Sequence, residues 1–185
     1  MIPLVKPFMP PSSELMPALE NVLYSGFIAE GESVYEFEKQ FGDYIGNPYC
    51  VSVNSGTAAL HIALLLADVK GGEVISTALT AEPTNVAIVL AGADVVFADV
   101  NESNGLINPK SVRKLINEKT KAIMLVHYAG MVCDMDEFNK ISKEYNIPII
   151  EDNAHALGSR YNGKPVGSNS PYTCFSFQAI KQMTT

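Results

Sequence analysis

Short apolar runs rich in β-branched residues alternate with helical segments along most of this chain. EVIST, DVVFA and KAIMLVH are each followed by a segment with helical signals, and the run IPIIED follows the last of these segments. Parallel strands need long crossover connections, usually helices, so this alternation is typical of a parallel sheet covered by helices. The sequence therefore predicts an α/β fold with a mostly parallel sheet flanked by helices.

The predicted elements follow an N-terminal arm over residues 1–32 and occupy residues 33–185. Strands are predicted over 49–53, 73–77, 94–98, 121–127, 147–152 and 172–177, with a hairpin over 158–166. Helices are predicted over 33–45, 57–67, 84–91 and 109–118, and a further helix is capped by Asp134. Ser33 and Glu36 have the spacing of a capping box. The helix TAALHIALLLA is apolar on nearly every side and is predicted to be buried.

Composition argues against several classes of function. The formal net charge of −7 argues against a general nucleic-acid-binding protein. The three cysteines and three histidines are scattered without the paired spacing of a metal site. No apolar run approaches the roughly 18 residues of a membrane span, and early prolines interrupt any signal-peptide pattern. A protein without metal or membrane contact, in a reduced cytoplasmic setting, is predicted.

The turn Asn54-Ser55-Gly56-Thr57 joins a predicted strand to a predicted helix. Free N–H groups at the start of a helix, together with the helix dipole, form a site for phosphate. The hydroxyls of Ser55 and Thr57 offer further donors. A plain capped helix after a turn is the more common explanation of such a segment, so the segment alone does not establish a phosphate site.

Glu151 and Asp152 end the apolar run IPIIED, and His155 follows in the next loop. Open α/β folds bind ligands at the carboxyl edge of the sheet, and a buried carboxylate there needs a cationic partner such as a protonated pyridine nitrogen. Asp152 is equally compatible with this site and with a surface acid. Strand alternation directs Glu151 to the other face, where a surface acid is the better interpretation. His155 by itself is most simply a packed polar residue.

Lys181 follows the predicted strand over 172–177, which also carries Ser176. A lysine has an ordinary pKa of about 10.4, so it is a poor nucleophile unless it is desolvated or converted to an imine. Taken alone, Lys181 is most simply a solvated lysine. A phosphate cup, a carboxylate for a ring nitrogen and a lysine are together what pyridoxal 5'-phosphate requires, and they follow the order found in enzymes of the aspartate-aminotransferase fold. The combination predicts that cofactor.

The sequence resembles the DegT/DnrJ/EryC1/StrS family of pyridoxal-phosphate-dependent sugar-nucleotide aminotransferases along its whole length. The segments that carry the resemblance are EGESVYEFEKQF, SVNSGTAALHIAL, VHYAGMVCDMD, IPIIEDNAHALGSRYNGKPVGS and CFSFQAIKQMTT. The resemblance implies an aspartate-aminotransferase-like (fold type I) large domain that binds the cofactor over 33–185. It also implies that this large domain is incomplete and that the small C-terminal domain of the family is absent.

The resemblance implies roles for individual residues. Lys181 and Asp152 are the implied catalytic residues: Lys181 forms the Schiff base and then moves a proton, and Asp152 pairs with the pyridine nitrogen. His155 lies near the cofactor's phenolic oxygen. The implied phosphate ligands are Gly56, Thr57 and Ser176, to which the turn adds the Ser55 hydroxyl. Ala81 stands where many relatives carry an aromatic residue that stacks on the ring, so stacking is expected from elsewhere or not at all.

The activity implied by the resemblance is transfer of an amino group, usually from glutamate, to a keto-sugar linked to a nucleoside diphosphate, in a homodimer. A sugar dehydratase of the same family is an alternative, but its members carry histidine in place of the lysine, so Lys181 argues against it. A non-catalytic or inactive cofactor-binding fragment is a second alternative. A lysine four residues from residue 185 is expected to be mobile, so little turnover is expected from this chain alone. A dinucleotide-dependent dehydrogenase ranks low, because no G-x-G-x-x-G follows a predicted strand.

Overall fold

The structure is a computed structural model of the 185-residue chain, and it describes residue 7 and residues 9–184. The rest of the start of the predicted arm lies outside the described residues, as does residue 185. The helices are α1 (Ser12–Tyr24), α2 (Glu32–Ile45), α3 (Gly56–Leu66), α4 (Glu82–Leu90), α5 (Pro109–Leu115) and α6 (Met135–Tyr145). The strands are β1 (Glu73–Thr77), β2 (Asp94–Ala98), β3 (Thr120–Val126), β4 (Ile149–Asp152), β5 (Arg160–Tyr161), β6 (Lys164–Pro165) and β7 (Tyr172–Cys174). None of the helices in this described part has the length and apolar character needed to traverse a bilayer.

Five strands form one parallel sheet in the order β2-β1-β3-β4-β7. β5 and β6 form a separate antiparallel hairpin. β3 and β4 are buried almost throughout, which explains why residues 122–126 and 149–150 are consecutive apolar residues rather than an alternating pattern. The predicted α/β fold with a mostly parallel sheet flanked by helices is confirmed.

Helices cover the sheet on both faces. On one face α3 and α4 pack in a cluster that includes Leu64, Ile88 and Met124. On the other face α5 and α6 contribute Val112 and Phe138 to a second cluster. Neighbouring residues of β3 enter opposite clusters, because successive side chains of a strand point to opposite faces of the sheet.

Three local boundaries agree with the sequence signals. Asp134 caps α6, and its carboxylate accepts the Glu137 N–H at 3.1 Å. Gly46 ends α2 in the left-handed region, with a φ of 77°. Asn162 and Gly163 both have positive φ, 49° and 78°, as a two-residue hairpin turn between β5 and β6 requires.

The predicted capping box at α2 is wrong. The helix begins at Glu32 with Gly31 as its N-cap, and no side chain of the described residues caps it. The segment predicted as an arm contains α1, a helix with Pro17 inside it and no buried residue among those described. Proline inside a helix removes a backbone hydrogen bond, so the sequence pattern alone disfavours a helix here.

Two further predictions are wrong. α3 buries Leu60 and Leu64 but exposes 69% of Leu66, so one side of this apolar helix is uncovered. The predicted strand over 49–53 belongs to neither sheet, and Tyr49 is 90% exposed. Among the described elements β2 and β7 are the two edge strands of the sheet, and neither pairs with this segment. A strand pattern becomes a strand only where a neighbour accepts its backbone hydrogen bonds.

The carboxyl ends of all five parallel strands lie at one edge of the sheet. β1, β3, β4 and β7 end there at Thr77, Val126, Asp152 and Cys174, so β7 stops short of the predicted residue 177. β3 and β4 are registered so that Val126 lies beside Asp152. This edge is where open α/β sheets bind ligands.

Candidate active site

A cavity of about 870 Å³ opens at this edge of the sheet. All seven residues that the sequence assigns to the site line it: Ser55, Gly56, Thr57, Asp152, His155, Ser176 and Lys181. Ala81, the position without a stacking aromatic, lines it as well. The structure therefore brings together residues that the sequence separates by more than a hundred positions. No group of three or more His, Cys, Asp or Glu suited to a metal ion occurs among the described residues.

The first turn of α3 presents two free amides. Ser55 is extended, and its hydroxyl oxygen accepts the Ala58 N–H at 3.1 Å, so Ser55 is the helix cap. The Ala59 N–H donates to the Ser55 carbonyl. The N–H groups of Gly56 and Thr57 have no acceptor in the described part of the chain. The helix cap and the free N–H groups that the sequence suggests are therefore both present. Ser55 is the cap, and Gly56 and Thr57 carry the free N–H groups.

Ser176 closes this turn from the side of β7. A β-carbon built on Gly56 would lie 3.2 Å from Ser176 Cβ and 3.4 Å from its Oγ. This separation is tighter than most real contacts of a Cβ, so glycine is what allows the turn and the Ser176 segment to approach. The two amides and the Ser176 hydroxyl lie around one small concave region.

Asp152 is 6% exposed at the end of β4, so the surface interpretation of this residue is wrong. Its Oδ2 accepts the Thr84 hydroxyl at 2.7 Å, and its Oδ1 accepts the Ala154 N–H at 3.0 Å. No cationic side chain of the described residues forms an ion pair with it. The result is a buried carboxylate that is hydrogen-bonded and lacks a countercharge.

Glu151 is also buried, at 2% exposure, so its predicted place as a surface acid is wrong. It does point to the face opposite Asp152, where the His127 Nε2–H donates to Oε2 at 3.2 Å. His127 Nδ1 accepts the Cys133 N–H at 3.1 Å, which leaves the ring proton on Nε2. The Ser170 hydroxyl donates to the other carboxylate oxygen. These hydrogen bonds explain how an acid is accommodated in the core.

His155 is half-buried in the loop after β4. The Ala129 N–H donates to its Nδ1 at 3.4 Å, and the Tyr128 ring packs edge-on with the ring centroids 5.7 Å apart. Burial and the nearby Lys181 ammonium lower the pKa of His155, and Asp152 opposes this shift. The ring is therefore neutral near pH 7, with its proton on Nε2.

Backbone and side-chain bonds hold the segment that carries Lys181. The Lys181 N–H donates to the Gln178 carbonyl at 2.8 Å, and the Gln182 side chain donates to the His155 carbonyl at 2.6 Å. The Ile180 N–H donates to the Gln178 side chain at 3.2 Å. The lysine segment is thus joined to the loop that carries His155.

Thr84 is a site residue that the sequence interpretation lacks. It lies in the first turn of α4 with Ala87 and Ile88 on the buried face of that helix. A hydroxyl on an otherwise apolar face needs a hydrogen-bond partner once it is buried. A threonine on the apolar face of a helix is therefore the sequence signal that could have identified Thr84. The sequence does not identify Asp152 as its partner.

Comparison with known proteins identifies the family of the chain. The model of the DegT/DnrJ/EryC1/StrS aminotransferase family matches residues 11–185. An uncharacterized protein of Methanocaldococcus jannaschii, MJ1066, is 41% identical over 184 residues, which cover 96% of this chain and 48% of that protein.

Two solved structures also match nearly the whole of this chain and about half of their own chains. The sugar aminotransferase CalS13 from Micromonospora echinospora superimposes with a TM-score of 0.91 at 36% identity, covering 98% of this chain and 51% of that one. The putative sugar aminotransferase Spr1654 from Streptococcus pneumoniae, in its PLP form, gives 0.92 at 34% identity, covering 99% and 50%. The chain thus spans about half the length of these relatives. With a family match over nearly all of its residues, the chain belongs to the DegT/DnrJ/EryC1/StrS aminotransferase family.

Proposed function

We propose that this chain is the cofactor-binding part of a pyridoxal 5'-phosphate-dependent aminotransferase. The enzyme transfers an amino group, from glutamate, to a keto-sugar linked to a nucleoside diphosphate. Lys181 is its catalytic lysine and Asp152 the partner of the pyridine nitrogen. Ser55, Gly56, Thr57 and Ser176 hold the phosphate, and His155 faces the phenolic oxygen.

The observation that carries the proposal is the buried Asp152 carboxylate without a countercharge. A carboxylate removed from water is costly unless a cation or several donors stabilise it. Thr84 and Ala154 supply two donors, and the cavity borders the same group. A protonated pyridine nitrogen entering from the cavity completes the set. This requirement favours a cationic aromatic ring over a neutral ligand.

The α3 turn fits the other end of the cofactor. Gly56 and Thr57 point two free amides at the start of an eleven-residue helix, where the dipole also favours an anion. Ser176 adds a hydroxyl beside them. Ser55 uses its oxygen as the helix cap, and its hydroxyl donates to Asn54 Oδ1 over a long 3.4 Å, a contact that a phosphate oxygen can replace. A phosphate dianion matches this donor set.

Pyridoxal phosphate supplies, when bound, an aldehyde carbon for a lysine amine and a ring that accepts negative charge from the reacting carbon. Lys181 contributes that amine. Once the amino donor has released it, Nζ of Lys181 is the base that moves a proton at the reacting carbon. Neutral His155 keeps its proton on Nε2, which has no acceptor among the described residues and is free to donate to the phenolic oxygen.

The substrate and the assembly in this proposal are carried over from the family. CalS13 and Spr1654 are described as sugar aminotransferases, which supports a sugar substrate. Lys181 argues against the dehydratase alternative, because that branch carries histidine at this position. We include a homodimer and a cytoplasmic setting in the proposal. No residue of α1 is buried in the described part of the chain, which supports a further partner surface.

The test starts from the purified chain and pyridoxal phosphate. We expect a visible absorption band from the lysine-bound cofactor, which borohydride reduction makes permanent and mass spectrometry assigns to Lys181. Lys181→Ala is expected to abolish the band. Lys140→Ala is the matched control, because the Lys140 side chain is 70% exposed on α6. Glutamate is then expected to change the band and release 2-oxoglutarate.

A band that survives Lys181→Ala, or no band in the unaltered chain, would contradict the assignment of the cofactor site. A Lys181-dependent band that does not respond to glutamate would contradict the amino donor and leave a cofactor-binding chain without transfer activity.

A further inference from the structure

We propose that Thr84, supported by Thr80, is a positioning residue that fixes the orientation of the Asp152 carboxylate. The inference rests on the proposed function, in which Asp152 holds the pyridine nitrogen. It concerns a hydroxyl on α4 that comes 68 residues before Asp152 in the chain and meets it only in the fold.

The contact itself is short and buried. Thr84 Oγ1 lies 2.7 Å from Asp152 Oδ2, and Thr84 is 1% exposed. This distance is typical of O–H···O hydrogen bonds, and a bond to an ionised carboxylate is about twice as strong as a neutral one. Both residues are almost fully buried, so the bond is largely shielded from bulk water although they line the cavity.

The direction of the hydrogen bonds follows from chemistry. An ionised carboxylate only accepts, so Thr84 must use its single hydroxyl proton on Asp152. Thr80 Oγ1 lies 2.7 Å from Thr84 Oγ1, and the only proton left for this contact belongs to Thr80. The result is a relay in which Thr80 donates to Thr84 and Thr84 donates to Asp152. Such chains strengthen each member by polarisation.

The relay leaves the rest of the carboxylate free. Asp152 Oδ1 accepts the Ala154 N–H, so one donor holds each oxygen and the plane of the group is set. A carboxylate has about four lone-pair positions, so about two remain for a ligand. Without the Thr84 hydroxyl, rotation about the last side-chain bond would be restrained by Ala154 alone.

α4 itself is held in place beside the relay. Asn85 donates to the Thr77 carbonyl at 3.0 Å and accepts the Ser76 hydroxyl at 2.7 Å, which joins the first turn of α4 to the end of β1. β3 lies between β1 and β4 in the sheet. Thr84 therefore reaches past β3 from a rigid support, as a positioning residue requires.

The experiment compares Thr84→Val, which keeps the shape and removes the hydroxyl, with Thr84→Ser, which keeps the hydroxyl. Thr80→Val removes only the second member of the relay. Thr120→Val is the matched control, because Thr120 is a buried, hydrogen-bonded threonine at the opposite end of the sheet. Each variant is measured with pyridoxal phosphate labelled with ¹⁵N in the ring and, separately, without cofactor.

With cofactor, we expect Thr84→Val to move the pyridine ¹⁵N resonance towards that of the unprotonated ring and to weaken cofactor binding roughly tenfold, the loss of one charge-assisted hydrogen bond. Thr84→Ser is expected to restore both measurements, and Thr80→Val to give a smaller change of the same sign. Thr120→Val is expected to change neither. Without cofactor, the ¹³Cγ resonance of Asp152 is expected to shift in Thr84→Val and return in Thr84→Ser.

The outcomes separate the two proposals. Failure of the unaltered chain to bind pyridoxal phosphate overturns the proposed function, while the ¹³Cγ measurement still tests the hydrogen bond. Normal binding with unchanged ¹⁵N and ¹³Cγ resonances in Thr84→Val overturns the positioning role. If Thr84→Val does not fold, Thr80→Val decides, and an unchanged ¹⁵N resonance in that variant overturns the relay.

Discussion

Gly56 and Ser176 approach so closely that a β-carbon on Gly56 would lie 3.2 Å from Ser176 Cβ. Gly56→Ala should therefore displace Ser176 from the α3 turn and weaken cofactor binding roughly tenfold, equivalent to one lost hydrogen bond to the phosphate. The measurement is a titration of pyridoxal phosphate into each variant. Alanine is a better helix former than glycine, so the free energy of unfolding should not fall.

The double variant with Ser176→Ala and Gly56→Ala tests whether Gly56→Ala weakens cofactor binding by displacing Ser176. If the alanine acts by displacing the Ser176 hydroxyl, the double variant should bind no more weakly than either single variant. Additive losses would mean that Gly56 acts on the phosphate independently of Ser176.

Ser55 caps α3 by accepting the Ala58 N–H. Ser55→Ala should lower the free energy of unfolding by about 1 kcal/mol, the usual cost of a lost N-cap. Ser55→Asn should retain most of the stability, because its side chain also caps. Urea denaturation of the cofactor-free variants measures this effect. Equal stability of Ser55→Ala and the unaltered chain would show that the cap is dispensable.

His155 should titrate below the ordinary histidine pKa of about 6.5. Lys181→Met should raise the pKa by removing a positive neighbour, and Asp152→Asn should lower it further. Lys140→Met, on the exposed side of α6, should leave it unchanged. Ring proton resonances followed by NMR against pH give all four values. A rise in Asp152→Asn would contradict the assigned environment.

The same shift has a consequence for stability. Because folding lowers the pKa of His155, the unfolded chain binds more protons between the folded pKa and about 6.5. The contribution of His155 to the free energy of unfolding should therefore decrease as the pH falls through that window and be constant above it. His155→Gln should remove this part of the pH dependence.

Glu151 accepts hydrogen bonds from His127 and Ser170 in the core. Glu151→Leu leaves these buried donors without a partner, at roughly 1–3 kcal/mol of unfolding free energy for each. Glu144→Leu is the surface comparison: it removes an ion pair with Arg113, which costs about 1 kcal/mol at most. Urea denaturation measures the free energy of unfolding of both variants. Similar decreases in Glu151→Leu and Glu144→Leu would contradict a structural role for the hydrogen bonds of Glu151.

Much of the fold was predictable from short segments. The runs EVIST, DVVFA and KAIMLVH become strands within a residue of their predicted bounds, and Gly46 and Asp134 end and begin helices as expected. These features depend on interactions within a few residues, which periodicity and turn chemistry report. The family resemblance, together with the turn at Ser55, supplied the candidate cofactor residues, and all seven line the cavity.

Several of the failed predictions have a common origin in long-range contacts. The segment over 49–53 has the composition of a strand but no neighbouring strand among the described residues, and Leu66 belongs to an apolar helix with one uncovered side. Glu151 was interpreted as a surface acid. The alternation of side chains along a strand specifies the face of the sheet to which Glu151 points, but not which segments cover that face. The donors to Glu151 are His127, the residue after β3, and Ser170, which lies in a distant loop.

The sequence by itself determined the α/β class and several strand, helix and turn boundaries, because these depend on local chemistry, while the roles of the candidate cofactor residues came from the family resemblance. Only the tertiary structure decided that Asp152 lacks a countercharge, that Glu151 is paired on the opposite face, and that Thr84 holds Asp152. These contacts depend on the order β2-β1-β3-β4-β7, which brings distant segments to one edge of the sheet. Strand order is set by the packing of the whole chain, and no local pattern specifies it.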